Sequence, residues 1–413
     1  MIHKIKNILK NKDVKVLLEN FISLSSLQLV GMILQLITLP YVLRILGFTN
    51  YGIVILAASL VAYFQAITDF SFKITATRDV AIFRNSQKKL NIIYSKVLTI
   101  KMIFLALSIV ILCFVIFLYP PFYKERLVFF LTIPILFGYT LFPEWFFQGI
   151  EKMKYITFLN VGIKLFFTIC IFIFIKVKED YWIYPLLQSL GFIGAGIIGQ
   201  FILIKKYKLK FIILKRRVIT QTIVSNFPIF INQFFPTLYN NTSTFLLGIL
   251  TTTSLVGVYD AVKKIIDLFI SLLNIVSRVF FPFLNRKRDV FPKYKKLMLS
   301  ISILFIIVAI ALNKLIFWYL NINYENALAV LIILAIGILG YTLYDIFGLN
   351  YFIIRRKDKL VMNNTLIFSF ISFILAFPLI YFFGIIGAAI NLTFARFMMG
   401  GNLMLKWIKN ENN

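Results

Sequence analysis

Twelve apolar runs, each close to the ~20 residues that carry a helix across a ~30 Å hydrocarbon core, occupy nearly the whole chain and leave no polar stretch large enough to be a soluble domain. They lie at about 17 to 43, 51 to 72, 91 to 118, 127 to 148, 156 to 176, 182 to 204, 222 to 250, 255 to 284, 296 to 320, 326 to 350, 363 to 383 and 385 to 407. A chain in hydrocarbon must satisfy its backbone polar groups internally, so it spans as helices or as a closed barrel. These runs are long and lack the short alternating pattern of barrel strands, which predicts helices. Composition agrees: 60% of residues are hydrophobic, 46 are Phe and only 15% are charged, far from soluble usage. The expected fold is all-α and polytopic, with about 12 transmembrane helices.

Lys and Arg placement predicts orientation. Of 44 such residues, 31 fall in the termini and alternate loops on one side, and six, Arg44, Lys124, Arg126, Lys176, Lys178 and Lys314, on the other. Both termini are therefore expected in the cytoplasm. This bias accounts for the net charge of +28 without nucleic acid, since the charge is spread over loops rather than gathered in a basic domain. Lys4, Lys6, Lys10 and Lys12, interleaved with Ile2, Ile5 and Leu9, suggest a short helix on the anionic leaflet. No small-residue cleavage site follows, so a signal peptide is not expected.

The longest polar interruption, KKYKLKFIILKRR at 205 to 217, divides the helices six and six. Asn20-Phe21 followed by Gly52, and Asn226-Phe227 followed by Gly257, repeat at nearly equal spacing. Two parallel six-helix lobes are predicted, 1–204 and 222–413, joined by a basic cytoplasmic linker, 205–221.

The rare side chains restrict the chemistry. His3 is the only histidine, and Cys113 and Cys170 lie in apolar helix interiors as small hydrophobes. A His-based metal centre or a Ser-His-Asp triad cannot be assembled. Gly-rich phosphate loops are absent and the outer loops are short, with Glu125, Glu179, Asp180 and Glu325 as their only acids. A transporter without cofactors, rather than an enzyme, is expected.

Against this background GVYDAVKKIID, 257 to 267, places four ionisable residues inside an apolar run. On a helix Asp260, Lys263, Lys264, Asp267, Ser271, Asn274 and Arg278 share one face, with Asp267 roughly 15 Å deep when counted from Gly257. Charges at that depth usually face a bundle interior or a water-filled cavity. Two i,i+4 pairs, Asp260 with Lys264 and Lys263 with Asp267, offer self-neutralisation, but leave Ser271, Asn274 and Arg278 unexplained. On the preceding helix Asn226, Gln233, Thr237, Asn240 and Thr244 form a second polar stripe, near Pro228 and Pro236. Interhelical hydrogen bonding is the alternative to a cavity wall. Lys101, Lys164 and Arg396 are further candidates for the cavity. Lys96 is read as snorkelling to the interface, and Asp69, Glu144 and Asp345 as hydrated acids near cytoplasmic helix ends. Arg44 and Glu19, near the two ends of the first helix, stay ambiguous.

NFISLSSLQLVGMILQLITLPYVLRILG at 20 to 47, YG at 51 and 52, TDFSFKITATRDVAIFR at 68 to 84 and VLTIK at 97 to 101 resemble the N-terminal region of Wzx-like polysaccharide repeat-unit flippases. These belong to the multidrug/oligosaccharidyl-lipid/polysaccharide exporter superfamily. The resemblance implies a protein of the bacterial inner membrane that moves undecaprenyl-diphosphate-linked oligosaccharide from the cytoplasmic to the periplasmic leaflet for O-antigen or capsule assembly. It also implies two lobes alternating access around a cationic cavity, with membrane lipids, a polysaccharide polymerase and chain-length machinery as partners. One departure is Ser71 with Lys73, where the family pattern has a Gly and an uncharged residue.

The residues suit that substrate. Lys263, Lys264, Arg278, Lys101, Lys164 and Arg396 would face the diphosphate, and Asn274, Gln233 and Asn240 the sugars. Asp260 and Asp267, displaced from their lysines by the arriving anion, would couple binding to an ion. A cation-coupled multidrug exporter of the same superfamily is the alternative, followed by a polysaccharide polymerase or ligase.

Overall fold

The computed structural model describes Lys12–Glu411, with side chains from Ser25 to Lys409. The expected helix at Lys4–Lys12, His3 and Glu19 lie outside the side chains described. Among the described residues the fold is helical without strands. In chain order the α-helices are α1 Lys12–Asp69, α2 Phe72–Phe83, α3 Gln87–Leu118, α4 Pro120–Lys124, α5 Arg126–Thr132, α6 Pro134–Leu141, α7 Glu144–Gly149, α8 Met153–Phe174 and α9 Ile183–Lys205. They continue with α10 Arg216–Leu250, α11 Thr253–Arg286, α12 Phe291–Ala311, α13 Asn313–Leu320, α14 Ala327–Leu343 and α15 Asp358–Glu411. A ten-residue π-helix, Tyr344–Ile353, extends α14.

Among the described residues, nine helical stretches are long and apolar enough to cross a membrane. Two of them hold two spans each. α1 breaks at Gly47 (φ 72°, ψ 168°) and α15 at Gly384 (φ 53°, ψ −126°), a backbone region that glycine enters without the Cβ clash other residues meet. The 35-residue α10, whose polar stripe lowers its mean hydropathy, completes the set of twelve expected spans. This is a multi-pass membrane protein. Its lipid-facing surface is apolar: Val110, Phe114 and Leu118 of α3 are about two thirds exposed in the isolated chain.

The helices pack as two compact units. Of the described residues, one comprises those up to Thr38 together with Phe64–Ile231, and the other Leu39–Tyr63 with those from Asn232 onward. The core of the first includes Phe72, Val80, Ile100, Phe146, Phe147 and Leu203. In the second, α14 is buried through Val330, Leu331, Leu334 and Ile338. There the second arm of α1 crosses α11 so closely that a Cβ on Gly52 would lie 1.7 Å from the Thr253 carbonyl oxygen, and one on Gly257 2.3 Å from that of Phe48. The two glycines of the sequence repeat thus meet at one crossing.

The linker is shorter than expected. α9 runs to Lys205 and α10 begins at Arg216, so only 206–215 is non-helical. Ser71, where the resemblance leads to an expected Gly, adopts φ 64° and ψ 7°, the left-handed region that glycine enters most readily. The Lys73 charge is balanced by Glu144 at 3.0 Å.

Candidate functional site

The charges on α11 are shared with other helices. Asp260 Oδ2 lies 2.9 Å from Lys264 Nζ and accepts a 2.6 Å hydrogen bond from the hydroxyl of Tyr51. Lys264 also donates to that hydroxyl, and its ammonium sits 5.1 Å from the Tyr51 ring centroid. Tyr51 is fully buried. Lys264 is thereby held from two sides.

One turn further along, the expected Lys263–Asp267 pair is loose, at 3.9 Å. Arg396 of α15 takes the other oxygen of Asp267 at 3.3 Å. The Arg396 side chain is 6% exposed, and its Nη1 is buried with no hydrogen-bond partner. A guanidinium has five N–H donors, and a buried unmet donor is costly. The arrangement therefore keeps an open demand for an acceptor. Two turns beyond Asp267 along α11, Asn274 accepts a 2.7 Å bond from Tyr341 of α14.

These contacts gather Asp260, Lys263, Lys264, Asp267, Asn274 and Arg396 in the second unit, and extend the set to Tyr51 and Tyr341. Sequence reading overlooked both tyrosines. Tyr51 sits in the YG pair that carries the family resemblance, the one signal that pointed to it. Arg278 is exposed and Gln233 is exposed on α10. Asn240 donates to the Pro236 carbonyl of its own helix at 2.9 Å. Asn240 also hydrogen-bonds Tyr239, which lies in the field of Arg396 and Asp267, whereas Arg278 and Gln233 are not brought into the cluster by any described contact.

Lys101 and Lys164 belong to the first unit. Lys101 is buried and pairs with Asp69 at 3.0 Å, beside the pair of Lys73 with Glu144. These four and Tyr139 line one small pocket. Asp69 and Glu144 are thus ion-paired rather than simply hydrated, a correction that follows from helices meeting far apart in sequence. Lys164 is exposed, with its ammonium over Gly31, where a Cβ would clash. Lys96 pairs with Asp79 at 2.9 Å. Asn226, assigned to the polar stripe, is buried and donates to Thr75 at 3.1 Å, as an interhelical bond.

Asp345 also differs from its expected hydration. It is 2% exposed and accepts from Ser277 and Tyr294, both at 2.7 Å, and from Asn350 at 3.1 Å. Among the described residues no cation pairs with it. It lies on the π-helix, a form often found at functional positions. A second buried network joins Ser243, Ser372 and Asn391.

Residues 17–288 match the family described as "Polysaccharide biosynthesis protein". The chain is 27% identical over 402 residues, 95% of this chain and 96% of the other, to a "Putative O-antigen transporter" of Escherichia coli (strain K12). A Shigella dysenteriae protein of the same description is 24% identical over 381 residues, 90% of this chain and 95% of its own. Among solved structures, the inward-facing conformation of a multidrug resistance MATE family transporter of the MOP superfamily aligns with a TM-score of 0.70 at 11% identity, covering 92% of this chain and 96% of the other. The lipid II flippase MurJ in its inward closed conformation aligns with a TM-score of 0.61 at 14% identity, covering 94% and 87%. At such identities the structural likeness speaks for the fold.

Proposed function

Because the chain belongs to the polysaccharide biosynthesis protein family, we propose that it flips undecaprenyl-diphosphate-linked oligosaccharide repeat units from the cytoplasmic to the periplasmic leaflet of a bacterial inner membrane. The glycan serves O-antigen or capsule assembly. The names of the two curated relatives and the fold shared with a lipid flippase support this reading.

The observation that carries it is the Arg396 guanidinium, buried with one nitrogen unmatched, beside the loosely paired Lys263. A diphosphate cannot enter hydrocarbon alone. Its oxygens are strong acceptors that supply what Arg396 lacks, while the polyprenyl tail stays in lipid. Lys264 is held by Asp260 and Tyr51 and sets the field of the site. In this proposal the lobes 1–204 and 222–413 alternate access, both termini are cytoplasmic, and no bond is made or broken. The arriving diphosphate displaces Asp267 from Arg396 and Lys263, which makes Asp267, with Asp260, the ion-coupling pair.

A strain lacking the chain should accumulate lipid-linked oligosaccharide on the cytoplasmic face. A missing drug exporter would leave no such intermediate, and a missing polymerase would trap it outside. Either pattern overturns the proposal.

A further inference from the structure

The linker between α9 and α10 is laid along α3 rather than hanging free. Gln87 Nε2 donates to the carbonyls of Tyr207 and Lys208, both at 3.0 Å. Asn91 Oδ1 accepts from the Lys210 backbone N–H at 3.0 Å, and Ser95 Oγ from that of Ile212 at 2.8 Å. Residues 87, 91 and 95 are one helical stripe covering roughly 12 Å. An extended chain from 208 to 212 covers about the same distance. The Leu209 side chain is buried and the Tyr207 ring lies edge-on to Phe146. This strap is part of the first unit's packing.

Its outer side is unusual for a segment held this firmly. Phe211 is 54% and Ile213 91% exposed, between the basic runs of a stretch, 205 to 217, that has seven Lys and Arg and no acid. Among the described residues none of the seven forms an ion pair. In water such apolar exposure is unfavourable at about 25 cal/mol per Å², and like charges at this density repel. Both penalties reverse against an anionic lipid surface, where apolar side chains insert beside the headgroups and each basic residue is attracted.

We propose that residues 205–217 form a lipid-binding strap whose partner is the anionic phospholipid headgroup layer, with Phe211 and Ile213 inserted among the upper acyl chains. The bonds from Gln87, Asn91 and Ser95 hold the backbone ordered before any lipid arrives, so little conformational entropy is lost on binding. The surface does not depend on which lipid is transported.

The test uses the full chain in nanodiscs of phosphatidylcholine with and without phosphatidylglycerol. A nitroxide at Ile213→Cys, in a Cys113→Ser, Cys170→Ser background, should collide with lipid-soluble oxygen in preference to a water-soluble nickel chelate when phosphatidylglycerol is present. In a second measurement, Lys208→Gln, Lys210→Gln and Lys215→Gln together should weaken retention of phosphatidylglycerol by at least about fivefold, and leave phosphatidylcholine unchanged. These side chains are exposed, so loss of fold is not expected, and the unmutated nitroxide arm reads the surface independently. Nickel access to position 213 in both nanodiscs, or unchanged phosphatidylglycerol retention, overturns the proposal. Loss of polyprenyl-diphosphate glycolipid binding with phosphatidylglycerol retained also overturns it, and would give the strap to the transported lipid.

Discussion

Each compact unit has a cluster of charged side chains within its helices, and the two are completed differently. In the first, Lys101 and Lys73 each have a carboxylate at 3.0 Å, from Asp69 and Glu144. In the second, Asp260 holds Lys264 at 2.9 Å, but Asp267 is divided between Arg396 at 3.3 Å and Lys263 at 3.9 Å, and Arg396 keeps an unmet donor. A completed pair has no incentive to change partners, since removing either member strands a charge in low dielectric. An incomplete one gains from a new anion. The first cluster is therefore read as a lock between helices and the second as a place for substrate.

The comparison breaks most visibly at its most buried lysine. Lys101→Met should strand Asp69 and cost about 3 kcal/mol or more of stability, measured by unfolding in detergent. Lys101→Met with Asp69→Leu should recover most of the loss. If the single variant is as stable as the parent but fails in transport, the lock assignment is wrong.

Arg396→Gln comes next. It should weaken binding of a glycan-diphosphate lipid to purified protein by roughly 30-fold, the equivalent of about 2 kcal/mol for a charged hydrogen bond. The stability loss should be small, because Asp267 keeps Lys263. Undiminished affinity would remove the open donor from the site.

The two adjacent lysines sharpen the contrast within one helix. Lys263→Gln should reduce affinity about tenfold with little change in stability, whereas Lys264→Gln should act chiefly on stability, by about 1–3 kcal/mol, since it leaves Asp260 and Tyr51 without their cation. Equal effects of both on affinity would mean that Lys264 also faces the ligand.

The smallest effect is expected at Lys73→Gln. Its side chain is 51% exposed, and exposed pairs contribute less than about 1 kcal/mol. Binding and unfolding should both stay near the parent values.

Much of this protein is written locally. Hydropathy over ~20 residues sets the membrane class and the spans, because each helix must satisfy its own backbone in lipid. The motifs of the first hundred residues point to the same family that residues 17–288 match, and the fold they imply is the one shared with the aligned MATE transporter. The α11 stripe was legible because helical periodicity projects Asp260, Lys263, Lys264, Asp267 and Asn274 onto one line. Even the repeat glycines, Gly52 and Gly257, were visible as a spacing, although not as a crossing.

What the stripe does with its charges was not legible. Counting i,i+4 pairs gives Lys263 and Lys264 equal standing, yet Tyr51, 213 residues from Lys264, fixes one of them, and Arg396, 129 residues from Asp267, loosens the other. Asp69 and Glu144 looked hydrated, and Asp345 looked interfacial, until the helices carrying their partners were placed beside them. Sequence alone determines where a side chain stands around its own helix axis, since that depends on a fixed rotation per residue. Its partners depend on which faces the packed helices bring within ~3 Å, where hydrogen bonds and ion pairs form. That proximity is a property of the packed structure, and it decides here which charges are spent and which remain open.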